Sequence, residues 1–590
     1  MTTLRFLART NLLASAVLLL ACGDDGGGGG GTGGSTGGSE STGTPTVVDD
    51  DGTTSAATTE VADSSDDGGS SDTGEEPPSK ICPDGLPRTA FDDTATEAAY
   101  DDPAPDFTVE TLRGTYDFGE EWTGCDNYVL VVYNAGAGGG TEFWGSSVEA
   151  LLDDSDDNTV YLFAVRSDDA QVRETFVNDV GARIEGGLME RGQEVYDAWT
   201  WRFRYVLDDA ADIPALAMAI DTNPGERHVT VDRMQRVREG HNVSIFNGTW
   251  VPQLAQTRYW AKYYNGQYLL DQQLAEEEAR GDVLVHRIAD GQEIRAQGWA
   301  DGHPVTEPHE WEFPDAETMA QYDTLAIDLH VDCPGAGHPY VATCGEWDTV
   351  GSIFLCTDEE CTPAERRRVV KWITPYSAPG RWLIDITPEL VHLQQGGTLR
   401  FVTAGGDNNA GPYTYRYTAD LRFGHAEDEF APIGMEELVP RGSYGWNDGF
   451  HDQWNQFTIN PPKGTQRVEL YARISGHGAA DGNNCAEFCT FTHNFAVGGV
   501  DYAYTYEMEQ SVNRCAELVS EGVTPNQGGT WFFDRSSWCP GYTIEEWRED
   551  ITDAVDLTGG ETVIDYTSTF GMGGPAGGSM DMRVEVVYYG

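Results

Sequence analysis

YTYRYTADLRF, residues 413–423, sets the texture of the carboxy-terminal half of this chain. Apolar or aromatic residues take the odd positions (Tyr413, Tyr415, Tyr417, Ala419, Leu421, Phe423) and polar ones the even positions. That alternation belongs to a strand with one buried face. Similar short runs recur from about residue 308, at Leu325–Val331, Gly351–Leu355, Val369–Ile373, Leu399–Thr403, Arg467–Ile474 and Met582–Tyr589. Gly, Pro and Asp turns separate them. Strands at this spacing predict antiparallel sandwiches or jelly rolls. There is room for two tandem β-sandwich units, 306–430 and 431–590, dividing near Glu427–Pro432, so the chain is read as mainly β.

Upstream, residues 81–305 alternate strands and helices and read as an α/β accessory domain. NYVLVVY (Asn127–Tyr133) and TVYLFAV (Thr159–Val165) suit buried strands, and Phe143–Leu152 between them has helical spacing. Val229–Val231, a Gln/Glu-rich helix at Gln272–Arg280 and a strand at Asp282–Ile288 complete that domain. Pro103–Thr108, Tyr128–Tyr133 and Ser167-Asp168-Asp169 give it a resemblance to thioredoxin-like proteins. The stretch after the first strand, Asn134–Gly139, has no Cys, so redox chemistry is not expected.

The first 80 residues read as address and tether. Arg5 and Arg9 precede a short apolar run, Leu12–Ala21, too short for a spanning helix. Leu19-Leu20-Ala21 before Cys22 resembles the bacterial lipobox, which implies cleavage at 1–22 and a lipid on Cys22. Residues 23–80 are Gly, Ser, Thr and Asp with almost no large apolar side chain, and should be a disordered linker. As a flexible coil it would span about 40–45 Å. The expectation is an exported bacterial lipoprotein, anchored by lipid at the outer membrane or cell surface, and monomeric.

The chain of 590 residues carries 36 Lys+Arg against 98 Asp+Glu, a net charge of -62. Residues 23–80 hold thirteen acids and one Lys, so residues 81–590 keep most of the deficit. Such a surface excludes ordinary nucleic-acid binding, which needs clustered Lys and Arg. Eleven cysteines become ten once Cys22 is set aside, an even number that points to disulfides in an exported protein. Spacing suggests Cys333–Cys344, Cys356–Cys361, Cys485–Cys489, Cys515–Cys539 and Cys82–Cys125, although sequence does not fix connectivity. Zinc is disfavoured because no pair shows CxxC spacing.

Two acids stand where cysteines should hold them rigid. Asp348 follows the Cys333–Cys344 loop in Cys344-Gly345-Glu346-Trp347-Asp348, and Glu487 lies inside Cys485-Ala486-Glu487-Phe488-Cys489. Acids from two sandwiches can meet in an interdomain cleft. The first segment, continued by Trp372-Ile373-Thr374-Pro375-Tyr376 and Trp382–Thr387, resembles the amino-terminal jelly roll of the peptide-N-glycosidase F family. Ile474-Ser475-Gly476-His477-Gly478, Cys485–Cys489, Gln527–Trp531 and Asp534–Gly541 resemble its carboxy-terminal jelly roll.

The resemblance implies an amidase that cleaves the bond between an N-linked glycan and asparagine on glycoproteins or glycopeptides, with no metal and no cofactor. By motif match, Asp348 is the essential aspartate and general base. Glu487 is the second active-site acid, hydrogen-bonding the first sugar, and Arg535 the arginine beside it. The family's three disulfides match Cys333–Cys344, Cys485–Cys489 and Cys515–Cys539. Trp347 could present a flat face to a sugar ring, while Trp538 reads as core.

Several positions depart from the pattern. Ala404 stands for the family's third acid, Gly406 for a tryptophan, Thr349 for an arginine and His477 for another tryptophan. Asp407 is a candidate replacement for the lost acid, and His477 a candidate for substrate contact. These losses leave a non-catalytic glycan-binding or adhesion lipoprotein as the alternative. The acidity of the folded part predicts neutral, high-mannose-type glycans over sialylated ones.

Overall fold

The computed structural model describes residues 80–590 except 135–139, 239, 241–252, 296–305, 334–343, 346, 406–413, 427–429, 446–452, 479–484, 507–512 and 571–577. Cys22, nearly all of the expected tether, and Asp407 therefore lie outside the described residues. Four expected disulfides are formed: Cys82–Cys125, Cys333–Cys344, Cys356–Cys361 and Cys515–Cys539. Cys489 is also disulfide-bonded, and the side chain of its expected partner Cys485 lies outside the description.

The accessory domain contains β1 (Thr108–Thr111), β2 (Gly114–Asp117), β3 (Asn127–Asn134), β4 (Thr159–Arg166), β5 (Phe203–Asp209), β6 (His228–Val231) and β7 (Val237–Arg238). They form one sheet in the order β2-β1-β5-β4-β3-β6-β7, parallel across β3, β4 and β5. β3 is buried at every position because both faces are covered. Val129, Val131 and Tyr133 enter one core, and Tyr128, Leu130 and Val132 the other. The helices are α1 (Gly140–Trp144), α2 (Glu149–Asp154), α3 (Ala170–Glu190), α4 (Gln193–Trp199), α5 (Pro214–Thr222) and α6 (Arg258–Arg280). α6 is much longer than the Gln/Glu-rich stretch that predicted it, because its first half is aromatic and packs inward.

The first sandwich runs β8 (Leu284–Arg295), β9 (His309–Asp315), β10 (Thr324–Asp332), β11 (Val350–Cys356), β12 (Arg366–Ile373), β13 (Gly380–Asp385), β14 (Gly396–Ala404) and β15 (Thr414–Gly424). The second runs β16 (Pro432–Gly445), β17 (Gln456–Ile459), β18 (Arg467–His477), β19 (Phe491–Val497), β20 (Val500–Tyr506), β21 (Tyr542–Thr543), β22 (Glu546–Asp550), β23 (Thr562–Phe570) and β24 (Ser579–Tyr589). Four antiparallel sheets result: β13-β10-β15-β8 and β21-β12-β11-β14-β9, then β16-β24-β18-β22 and β17-β23-β19-β20. Both units are jelly rolls with their own apolar cores.

One expected strand belongs elsewhere. The run predicted at Asp282–Ile288 becomes β8, and it pairs with β15 rather than with the accessory sheet. A strand carries no mark of which sheet it will join, and the exposed backbone edge of β15 was open to it. β21 likewise leaves its own sandwich to pair with β12.

The opening stretch behaves as its alternation requires. Tyr415, Tyr417, Ala419, Leu421 and Phe423 are all fully buried. Arg422, on the polar face, is buried too, because α6 lies across it: its guanidinium meets Glu278 at 2.7 Å and the Leu274 carbonyl at 3.3 Å. Between the jelly rolls, Glu389 and Glu585 are wholly buried. Arg473 bonds both, at 2.6 and 2.7 Å, and Arg367 bonds them at 3.2 and 2.6 Å. Isolated charges could not lie there; paired and hydrogen-bonded ones can.

Candidate active site

Asp348 sits just before β11, in a loop pinned from several sides. Thr374 Oγ1 accepts from the Thr349 N–H at 2.9 Å and donates to the Trp347 carbonyl at 2.9 Å, fixing the peptide units on both flanks of Asp348. The Tyr415 hydroxyl touches the Gly345 and Pro375 carbonyls at 3.0 and 2.6 Å, so the strand read first in the sequence also holds this loop. Rigidity thus comes from Thr374 and Tyr415 as well as from the Cys333–Cys344 bridge.

Glu487 lies on a short helix, Cys485–Phe488, at the end of β18. Gly476 lets the two backbones meet: a Cβ there would lie 1.6 Å from the Ala486 carbonyl oxygen. The turn Arg535–Trp538, with Ser537 at a φ of 70°, is tied to the same helix. The Ser536 N–H donates to the Glu487 carbonyl at 2.9 Å, and the Ser536 hydroxyl to the Cys489 carbonyl at 3.1 Å.

Arg535 brings the two acids together. Its Nε donates to Glu487 Oε1 at 3.1 Å, and its Nη2 lies 3.4 Å from Asp348 Oδ2. The remaining donors reach Thr530 Oγ1 at 3.0 Å and the Phe533 carbonyl at 2.9 Å, and the guanidinium stacks over Trp538. Tyr376 completes the cluster. Its hydroxyl donates to Asp348 Oδ2 at 2.6 Å, and Arg535 Nη2 donates to that hydroxyl at 3.2 Å. The Gly478 N–H donates to Glu487 Oε2 at 3.1 Å.

Electrostatics follow from this packing. Burial pushes Asp348 up to about 6; Arg535 and the Tyr376 hydrogen bond pull it back, and Glu487 pushes it further. The Tyr376 hydroxyl is held far above its ordinary value by burial and by Asp348. Burial lowers Arg535, but Tyr376, Asp348 and Glu487 outweigh it and its pKa ends above normal. A carboxyl that is protonated near pH 6, beside a fixed cation, is poised for proton transfer near neutrality.

The other expected residues fall around this centre. Trp347 is half-exposed on the rim. Trp538 is buried, its indole N–H donating to the Gly476 carbonyl at 2.8 Å, as expected of core. His477 is half-buried. It stacks on Trp538 and bonds Ser475 Oγ at 2.7 Å through Nε2, and burial together with Lys371 holds it down to about 3. Thr349 faces Thr374. Ala404 lies on the wall of a nearby cavity with Gly405 and Asp581. Sequence reasoning gave Tyr376 no role, although its motif was in view; nothing local shows that its hydroxyl reaches across to Asp348. Cys515, Asp534 and Cys539 cluster like metal ligands, but both sulfurs are consumed by their disulfide.

Residues 445–578 match the family model described as Peptide-N-glycosidase F, C terminal. No curated protein sequence matches the chain. Among solved structures, a peptide-N(4)-(N-acetyl-β-D-glucosaminyl)asparagine amidase is 19% identical, covering 52% of this chain and 96% of its own, with a TM-score of 0.41. PNGase F, described as a glycosylasparaginase from Flavobacterium meningosepticum, gives 19%, 52%, 95% and 0.41 in the same order. PNGF-II gives 12%, 52%, 65% and 0.38. Residues 445–578, most of the second jelly roll, are thus similar to the carboxy-terminal domain of peptide-N-glycosidase F.

Proposed function

We propose that this protein is an amidase that hydrolyses the glycosylasparagine amide bond and so releases N-linked glycans from glycoproteins or glycopeptides. The observation that carries the reading is Arg535, held between Asp348 and Glu487 where the two jelly rolls meet. Asp348, ionised above about pH 6, is the general base. Tyr376 and Arg535 occupy Oδ2, which leaves Oδ1 as the atom to take the proton. The water loses a proton to Asp348 as its oxygen bonds the side-chain carbonyl carbon. The C–N bond then breaks, the proton passes from Asp348 to the departing nitrogen, and aspartate and a glycosylamine result. Glu487 is oriented by Arg535 and Gly478 and keeps lone pairs to accept a sugar hydroxyl. Trp347 on the rim offers a ring face for the sugar.

Glycan release from a denatured glycoprotein is the test, run with the native protein, Asp348→Ala and Glu487→Gln. Release by the native protein alone supports the amidase. Binding of glycopeptide without release by any of the three supports the glycan-binding alternative, which the alanine at 404 favours.

The exported, lipid-anchored state belongs to the same proposal and rests on the sequence around Cys22. Labelled palmitate should enter the wild-type chain in a bacterial host, and Cys22→Ser should remove the label.

A further inference from the structure

A basic groove runs between the jelly rolls, from the Cys356 end of β11, where Arg366 pairs across the sheet, to Val350 at its other end. Two adjoining cavities, about 310 and 200 Å³, share Pro363, Arg366, Arg368 and Arg441 as walls. Arg367 and Arg583 also line the larger one. A chain with only 36 basic residues and a net charge of -62 has gathered five arginines here from three distant strands, β12, β16 and β24. Three of the five are committed to acids. Arg367 and Arg583 pair with Glu585, and Arg368 holds Asp581 at 2.7 Å.

Arg366 and Arg441 are not so committed. Arg366 donates to the Cys361 carbonyl at 2.9 Å, and Arg441 to the Pro363 carbonyl at 3.2 Å while lying over the Phe354 ring. Neither has a carboxylate within ion-pair distance among the described residues. Burial and the neighbouring Arg368 hold Arg441 below its ordinary pKa, the signature of a cation among cations. Glu365 and Glu437 also lie in these walls, Glu437 at 3.9 Å from Arg583, and Asp581 is spent on Arg368 and Lys371.

The groove opens toward the catalytic acids. Val350 lines the smaller cavity and stands two residues after Asp348, a span of at most about 7 Å of chain. On the opposite wall, Asp581 pairs across the sheet with Ser475, two residues before His477 and three before Gly478, whose N–H holds Glu487. Ala404 and Gly405 leave the cavity open between these walls. A side chain at Gly405 would strike Gly351 at 2.6 Å, so the space cannot be filled from that position.

We propose that this groove binds an anionic substituent (sulfate, phosphate or carboxylate) on the glycan of the substrate, with Arg366 and Arg441 as its ligands. The inference rests on the amidase reading for the identity of the substrate, and it reverses the preference that the overall charge predicts. The chain's net charge acts over long distances and is screened beyond about 8–10 Å, whereas two guanidinium groups in contact with an anion are not.

Binding is measured apart from turnover, by titrating Asp348→Asn protein with N-glycopeptides carrying sulfated, phosphorylated, sialylated or neutral glycans. At least one acidic glycopeptide should bind about tenfold more tightly than the neutral one, about 1.4 kcal/mol. In the Arg366→Gln/Arg441→Gln variant on the same background that ratio should fall to about one, and added inorganic sulfate should compete only in the parent. The arms identify which anion is preferred. Equal affinity for all four glycopeptides, or a ratio unchanged in the double variant, overturns the groove and shows it to be an interdomain clamp only. Glycan release by the native enzyme with no such ratio would sink the groove and leave the amidase standing. The ratio without release by the native enzyme would do the opposite.

Discussion

Tyr376 gives its hydroxyl hydrogen to Asp348 Oδ2 at 2.6 Å and receives one from Arg535 Nη2 at 3.2 Å. The tyrosine therefore links the cation to Asp348, and it stabilises the ionised form of an acid that burial would otherwise keep protonated. Asp348, the proposed general base, is tuned by opposing effects, burial the larger and Arg535 with Tyr376 against it, so a change in either should move it.

The first consequence concerns pH. With Asp348 at about 6, kcat/KM for glycan release should be level above pH 7 and fall about tenfold per unit well below 6. Tyr376→Phe removes a hydrogen bond to the charged form, so the acid limb should move to higher pH by about half a unit to one unit. A limb that stays in place in the phenylalanine variant would show that another group is titrating.

Stability should move in the opposite sense to activity. Asp348 is raised from 3.8 to about 6 in the folded protein, so between those values the folded state holds a proton that the unfolded chain has released. Stability contributed by this site is greatest at low pH, declines through that window, and is lost above 6. The cost at pH 7.5 is on the order of 2–3 kcal/mol. Asp348→Asn should then raise Tm by several degrees at pH 7.5 and leave it unchanged near pH 3.5. A lower Tm at pH 7.5 would mean that the pull of Arg535 outweighs burial.

How much of this was legible beforehand depended on locality. Alternation in residues 413–423 predicts β15, and Cys and Trp around Asp348, Glu487 and Arg535 point to the proposed catalytic centre. Each of those signals lies within a few residues. Tyr376 is different: its role needs the turn after β12 to face the loop before β11. The arginine groove is further from view, because Arg366, Arg441 and Arg583 are separated by 75 and 142 residues and converge only when β12, β16 and β24 pack. The sheet that β8 joins is out of local view for the same reason, since its partner β15 lies more than a hundred residues on.

The buried lattice between the sandwiches carries its own prediction. Glu585→Gln removes a charge from Arg473, Arg367 and Arg583 together, and should cost about 3–5 kcal/mol, read as a shift in the denaturant midpoint. Glu389 gives the pH dependence. Burial raises it, but Arg473, Arg583 and Arg367 outweigh that and hold it below the ordinary 4.5. Its contribution is therefore complete above pH 4.5 and lost as pH falls below it. Acid unfolding should begin at higher pH in Glu585→Gln than in the wild type. An unshifted acid midpoint would remove the lattice from the account of acid stability.

The accessory domain reaches the proposed active site through α6. Tyr259, Trp260 and Tyr263 pack against Cys515, Val519, Val523, Trp531, Phe532 and Cys539, the disulfide-closed segment that carries Arg535. Gln256 accepts from Asn526 at 3.1 Å, and Gly266 lies against the Ser520 backbone. A segment with little regular secondary structure gains its order from that packing, so the aromatic face of α6 should govern where Arg535 sits. Trp260 is 1% exposed, and Trp260→Ala should cost about 3–5 kcal/mol. If α6 positions the arginine, kcat should also fall by about tenfold at temperatures where circular dichroism shows the variant still folded. Leu269→Ala, on the same helix but 54% exposed, should change neither quantity by more than about twofold or 0.5 kcal/mol. Loss of stability in Trp260→Ala with kcat intact would confine the accessory domain to holding the two jelly rolls together.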